Sequence, residues 1–122
     1  MKSRDIIDSF CHAFAGIGST VKAERNMKIH VTCAMIVVIL GFCLRIEIWE
    51  WLVCIAWIAA VMAAELINTA IENTVDMVTK EYNPYAKTAK DAAAGAVLIL
   101  AIGAAVSGAM IFIPRLWSLL MR

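Results

Sequence analysis

A stripe of polar side chains runs along one predicted helix in the middle of the chain. Glu65, Asn68, Glu72 and Asp76 are spaced by three and four residues, and at 100° per residue they fall within about 80° of one another on the helix face. Grouped carboxylates can accept protons or hold hard cations. The stripe starts in an apolar stretch, where a charge costs at least about 2.5–3.5 kcal/mol in a bilayer. It therefore predicts a binding site or cavity, although Glu65 and Asn68 could instead join helices by hydrogen bonds.

Further charged residues stand at two predicted helix boundaries. Lys87, Lys90 and Asp91 open the last predicted helix. Cations at a helix N-terminus oppose the helix dipole and do not stabilise the helix. Their presence here therefore predicts a bound anion. Glu24 lies in a charged segment at the predicted membrane depth of Glu72.

Together these groups could perform phosphoryl transfer. That reaction needs acids that hold Mg²⁺, a cation beside the transferred group and a carboxylate that accepts a hydroxyl proton.

Composition decides what kind of molecule positions these groups. Of the 122 residues, 62% are hydrophobic and only 17% are charged, against about 25% charged in soluble domains. Such a chain is not disordered, and it has too few polar residues to cover a small water-soluble domain. A net charge of +1 gives no reason to expect nucleic acid. The four cysteines form no C-x-x-C pair, so neither a disulfide nor a zinc site is predicted.

Apolar runs predict a single-domain, all-α membrane protein with three transmembrane helices, over 29–46, 48–80 and 87–114. An amphipathic surface helix is expected within 1–28, where the apolar side chains of Ile6, Phe10, Phe14, Ile17 and Val21 share one face. Lysine and arginine concentrate in the N-terminal segment and in the loop before the last helix. The positive-inside rule places both in the cytoplasm.

Three sequence blocks carry a resemblance to a known family. They are E-R-N-M-K-I-H at 24–30, E-L-I-N-T-A-I-E-N-T-V-D at 65–76 and A-K-T-A-K-D-A-A-A-G-A-V at 86–97. In this order and spacing they resemble the small prokaryotic diacylglycerol kinases, a family that includes undecaprenol kinases. The resemblance covers nearly the whole chain.

The resemblance implies a homotrimeric enzyme of the bacterial inner membrane that transfers the γ-phosphate of MgATP to a lipid hydroxyl. It implies that Glu65 is the catalytic base with Asn68 beside it, and that Glu24 and Glu72 bind the metal. Asp76 is implied to be a supporting acid. The positions implied to bind the nucleotide and its metal are Glu24, Glu72, Glu81, Tyr82, Asn83, Lys90 and Asp91.

Several readings of the function remain open at this point. The run Glu24-Arg25-Asn26 followed by His30 favours undecaprenol as the acceptor, with diacylglycerol as the alternative. A small proton-coupled transporter could use Glu65 as a membrane carboxylate that binds protons and a cationic substrate in turn. A transporter has no use for Lys90 and Asp91. The third reading is a non-catalytic membrane scaffold.

Overall fold

Four helices follow one another along the chain. The computed structural model describes residues 3–122, and the side chains of residues 5–122. Helix α1 is Ser3–Ala23, α2 is Arg25–Cys43, α3 is Ile48–Val78 and α4 is Pro84–Leu120. The last three are long and apolar enough to cross a membrane. The expected all-α fold with three helices able to span a membrane is therefore confirmed.

A single extended residue separates α1 from α2. Glu24 has φ −100° and ψ 121°, while its N–H donates to the Thr20 carbonyl at 2.9 Å and its own carbonyl accepts from the Lys28 N–H at 3.2 Å. Met27, just inside α2, is fully buried. Helix α2 thus begins at Arg25, in the polar segment ahead of the apolar run, because hydrogen bonding and burial rather than hydropathy set the boundary.

At the turn from α2 to α3, the Trp51 ring packs closely against the backbone of Gly41. The Ile46 N–H donates to the Gly41 carbonyl at 3.2 Å and the Arg45 N–H to the Phe42 carbonyl at 3.4 Å, the two bonds of a Schellman helix end. Arg45 has φ 50°, in the left-handed region that favours glycine. A Cβ on Gly41 would lie 2.5 Å from Cη2 of Trp51. Only glycine fits at this point of α2.

The start of α3 is tied to the end of α4. Glu47 and Glu50 form a reciprocal capping box, and the Glu47 N–H donates to Oε2 of Glu50 at 2.8 Å. Arg115 of α4 donates to both oxygens of the same Glu50 carboxylate. A small buried core lies at this end of the bundle, formed by Ile46, Cys54, Ile111 and Phe112.

Helices α3 and α4 make the most extensive interhelical contact in the chain. The Trp57 ring lies so close to Gly103 that an added Cβ would overlap it. Proline lacks an N–H and normally weakens a helix interior, yet α4 continues through Pro114 to Leu120. Arg115 follows directly and also donates to the Ile111 carbonyl at 3.0 Å. These contacts hold the segment in place beyond residue 114, where the apolar run ends.

Most of the apolar surface stays uncovered within one chain. In the most apolar windows of α2, α3 and α4, only 11%, 28% and 17% of residues are buried. Helix α1 likewise exposes Ile6, Phe10 and Phe14. Such surfaces suit lipid or further protein rather than water.

Candidate functional site

The N-terminal half of the polar stripe of α3 lies against the neighbouring helices. Glu65 is 2% exposed and Asn68 is 5% exposed. Thr69 is also buried, and its hydroxyl donates to the Glu65 carbonyl at 3.0 Å. The structure therefore buries the two residues predicted to do chemistry, whereas Asp76 at the C-terminal end of the stripe is exposed.

Two buried oxygen atoms of this stripe have no hydrogen-bond partner among the described residues. They are Oε2 of Glu65 and Oδ1 of Asn68. The Asn68 amide nitrogen donates to Oε1 of Glu72 at 3.4 Å. A buried acceptor without a partner costs about 1–3 kcal/mol, so its presence points to a group that binds there.

A histidine of α2 completes the surroundings of Glu65. Nε2 of His30 lies 3.7 Å from Oε2 of Glu65. His30 belongs to a sequence block that carries the family resemblance, yet sequence reasoning gave it no role. The available signal was its position, since it is the last titratable residue before the uncharged run 31–44.

Glu24 reaches the same region from the junction of α1 and α2. Its charge and that of Glu72 both act on Glu65. Among residues 3–122, no three acidic, histidine or cysteine side chains converge closely enough to hold a metal ion by themselves. Protein Mg²⁺ usually takes one or two carboxylates and completes its shell with water and substrate phosphates. Glu24, Glu72 and the unpartnered Asn68 oxygen are oxygen donors of the kind that such an ion takes.

Lys90 is held beside the stripe by an ion pair across α3 and α4. Its Nζ lies 2.6 Å from Oδ1 of Asp76, and both side chains are partly exposed. Asp91 points elsewhere and pairs with Lys87 on its own helix, in an exposed position. The structure therefore brings Lys90 to the acidic stripe but does not bring Asp91 there.

The loop before α4 stays apart from the buried carboxylates. Oδ1 of Asn83 accepts from the backbone N–H groups of Tyr85 and Ala86, at 2.9 and 3.2 Å, which makes Asn83 the N-cap of α4. Glu81 is exposed, and Tyr82 is 82% exposed. These three residues are accessible to a ligand, but none contacts Glu65 or Asn68 in the described structure.

An apolar groove of about 500 Å³ runs between α2, α3 and α4. His30 is one of its few polar lining residues, so the groove borders the surroundings of Glu65. Its shape suits a hydrocarbon chain. Typical lining residues are Cys33, Trp57, Val61, Met62, Ala104 and Phe112.

Comparison with known proteins places these features in one family. The family model described as prokaryotic diacylglycerol kinase matches residues 11–112. An undecaprenol kinase of Bacillus subtilis (strain 168) is 45% identical over 108 residues, which cover 88% of each chain. A diacylglycerol kinase of Synechocystis sp. is 38% identical over 117 residues, covering 95% of this chain and 67% of that protein.

A more distant relative extends the same pattern. The diacylglycerol kinase of Escherichia coli (strain K12) is 26% identical over 113 residues, covering 93% of this chain and 89% of that protein. The family match and these relatives cover nearly the full length of the chain, including the segments around Glu24, Glu65 and Lys90. The chain belongs to the prokaryotic diacylglycerol kinase family.

Proposed function

We propose that this membrane-bound lipid kinase transfers the γ-phosphate of ATP to the hydroxyl of undecaprenol. The acceptor is supported by 45% identity to a protein named undecaprenol kinase over 88% of both chains. The chemistry is carried by one observation: Glu65 is 2% exposed and one of its carboxylate oxygens has no hydrogen-bond partner among the described residues. A buried carboxylate that has an unpartnered oxygen and lies beside an apolar groove suits a base for a lipid hydroxyl.

Glu65 accepts the hydroxyl proton in the transfer step. As the lipid oxygen bonds to the γ-phosphorus, the bond from that phosphorus to the β,γ-bridging oxygen breaks and ADP leaves. Asn68 lies one helical turn further on, and its amide links the base to Glu72. The groove between α2, α3 and α4 takes the first part of the hydrocarbon chain and excludes water from the hydroxyl.

Glu24 and Glu72 are the proposed ligands of Mg²⁺. When bound, the ion neutralises the phosphate oxygens of ATP. Lys90 supplies a second positive charge for the phosphates, and it exchanges its contact with Asp76 for one with the nucleotide. The exposed side chains proposed to border the nucleotide are Glu81, Tyr82, Asn83 and Asp91.

The proposed setting is the bacterial inner membrane, with the N-terminus and the loop before α4 in the cytoplasm. That orientation follows from the distribution of lysine and arginine, and it gives the Lys90 end of the bundle access to cytoplasmic ATP. Helix α1 acts as an amphipathic surface helix. The exposed Ile6, Phe10 and Phe14 side chains support this role.

The proposed assembly is a homotrimer. Within one chain, less than a third of each membrane-spanning window is buried. Three helices alone cannot separate Glu24, Glu65 and Glu72 from lipid on every side, and charges exposed to lipid are costly. Cross-linking in native membranes should trap a species of three chains; only monomers and dimers would contradict the trimer.

Diacylglycerol is the alternative acceptor, because the relatives from Synechocystis and Escherichia coli are named diacylglycerol kinases. The purified protein is given labelled ATP, Mg²⁺ and either undecaprenol or diacylglycerol in the same detergent. We expect at least tenfold higher kcat/KM with undecaprenol. The opposite preference would establish the diacylglycerol branch. Absence of label in both lipids, from protein that still binds ATP, would contradict the kinase assignment.

A further inference from the structure

A second cavity lies at the end of the bundle where α2 and α4 finish. Its volume is about 490 Å³, and three arginines line it: Arg45, Arg115 and Arg122. No aspartate or glutamate of the described residues lines it. Between residues 29 and 79 the sequence has no lysine or arginine besides Arg45, and beyond residue 91 it has only Arg115 and Arg122. Every lysine and arginine of these two stretches therefore borders one cavity.

Only one of the three arginines is paired to an acid. Arg115 donates to both oxygens of the buried Glu50 carboxylate, and this pair is neutral as a whole. Among the described side chains, no acid pairs with Arg45 or Arg122. The cavity therefore carries two guanidinium charges without a protein counter-ion. The planar guanidinium group is well suited to bind two phosphate oxygens at once.

The sequence places this cavity at a membrane boundary. Arg45 is the first charged residue after the uncharged run 31–44, and Arg115 is the first after the uncharged run 92–114. Trp117 is 64% exposed in the same part of α4, and tryptophan is enriched at membrane–water interfaces. A ligand of the cavity would therefore lie at the depth of phospholipid headgroups.

The backbone of Arg45 gives a separate reason to expect a ligand. Its φ of 50° lies in the left-handed region, which is costly for a side chain but not for glycine. Glycine is the usual residue at such a helix end. Arg45 is exposed and has no acid partner among the described residues, so its guanidinium does not stabilise the turn through an ion pair.

We propose that this cavity binds the phosphate of an anionic phospholipid headgroup. Arg45 and Arg122 bind the phosphate oxygens. Leu44 and Leu119, which also line the cavity, contact the first carbons of the acyl chains. Basic pockets between transmembrane helices bind lipid headgroups in this way. The proposal does not depend on the function proposed above, because the cavity lies at the opposite end of α4 from Lys90.

The test measures the affinity of the full chain for two phospholipids. The purified protein in detergent is titrated with phosphatidylglycerol or with phosphatidylcholine, and native mass spectrometry gives the Kd of each lipid. Arg45→Gln combined with Arg122→Gln removes the proposed contacts and leaves Arg115 unchanged. Lys22→Gln combined with Lys80→Gln is the matched control, because it removes two exposed charges from other parts of the chain.

We expect phosphatidylglycerol to bind the unchanged protein at least tenfold more tightly than phosphatidylcholine. The double arginine variant should lose at least tenfold in affinity for phosphatidylglycerol, whereas the double lysine variant should stay within twofold. If the double arginine variant does not fold, Arg45→Gly decides through the same Kd, since glycine suits the left-handed backbone at this position. It should lose at least threefold.

Equal affinity for the two lipids would overturn the proposal, because the cavity would then make only ordinary bilayer contacts. Full retention of phosphatidylglycerol by the double arginine variant would also overturn it, since the lipid would then bind elsewhere. Thermal stabilisation by inorganic phosphate, without any preference for phosphatidylglycerol, would identify a soluble anion as the ligand and exclude the phospholipid. Turnover is not a readout, so failure of the proposed function would leave these results unchanged.

Discussion

Arg115 donates to both oxygens of the Glu50 carboxylate, with Nη1 at 2.7 Å from Oε1 and Nη2 at 2.6 Å from Oε2. The two residues are 65 positions apart in the chain and join the start of α3 to the end of α4. Along α3, Glu50 lies about 22 Å from Glu65, at 1.5 Å per residue. Stability at this end of the bundle can therefore be changed without touching the proposed chemistry.

Arg115→Met should lower the resistance of the protein to unfolding. It leaves the buried Glu50 carboxylate without its bidentate partner, and an unpaired buried charge is strongly unfavourable. The denaturant midpoint in mixed micelles measures the effect. Replacing Glu50 by Met as well should recover part of the loss, because the double variant removes both charges. Equal midpoints for Arg115→Met and the unchanged protein would contradict a stabilising role.

Gly103→Ala should destabilise the contact between α3 and α4. The new Cβ overlaps the Trp57 ring, and forced overpacking typically costs about 1–3 kcal/mol. Gly108→Ala is the control on the same helix, because a Cβ there meets nothing within 4 Å. Thermal unfolding should separate the two variants. If Gly103→Ala is as stable as Gly108→Ala, the ring does not occupy this position.

Glu65→Gln should abolish most turnover while ATP still binds. The amide keeps the size of the side chain but cannot accept the hydroxyl proton, and general base catalysis contributes about 10²–10⁴-fold in rate. Nucleotide binding, measured separately by calorimetry, should change by less than twofold. Normal lipid phosphorylation by this variant would remove Glu65 from the role of base.

Glu24→Gln and Glu72→Gln should each raise the Mg²⁺ concentration needed for half-maximal activity. Each substitution removes one anionic oxygen ligand from a site that provides few. Asp8→Asn is the control, since Asp8 is an exposed acid on α1. A Mg²⁺ titration of the three variants distinguishes them. Identical titrations for all three would argue that neither glutamate binds the metal.

Lys90→Gln should raise the KM for ATP about tenfold, equivalent to about 1.4 kcal/mol of binding. The lysine already lies beside the acidic stripe through its 2.6 Å contact with Asp76, and in the proposed site its charge binds the phosphates. Lys80→Gln removes a charge of the same kind from the neighbouring loop. Equal KM values for the two variants would show that Lys90 has no special role in nucleotide binding.

The spacing of Glu65, Asn68 and Glu72 was sufficient to predict that they share one helix face. Helical periodicity is a local property, and the apolar stretch around the stripe indicated its burial. Three spans were equally predictable, because the length and hydropathy of each run satisfy the thickness of a bilayer. The structure confirms the fold class, and the roles of the site residues stay predictions.

Contacts between distant residues were not predictable in the same way. Nothing local in the sequence indicates that Arg115 pairs with Glu50, or that His30 faces Glu65, since both depend on how α2, α3 and α4 pack. Helix boundaries also departed from hydropathy. α2 begins at Arg25 because a buried methionine and backbone hydrogen bonds hold a polar segment in helical form. The position of the apolar run does not predict this helix start.

The junction between α1 and α2 has a mechanical consequence. Glu24 alone separates the two helices, and backbone hydrogen bonds connect it to Thr20 on one side and Lys28 on the other. Any tilt of α1 relative to α2 must turn about the φ and ψ angles of that one residue. Its carboxylate then moves with the helix, so any tilt of the leading segment is passed directly to this acid.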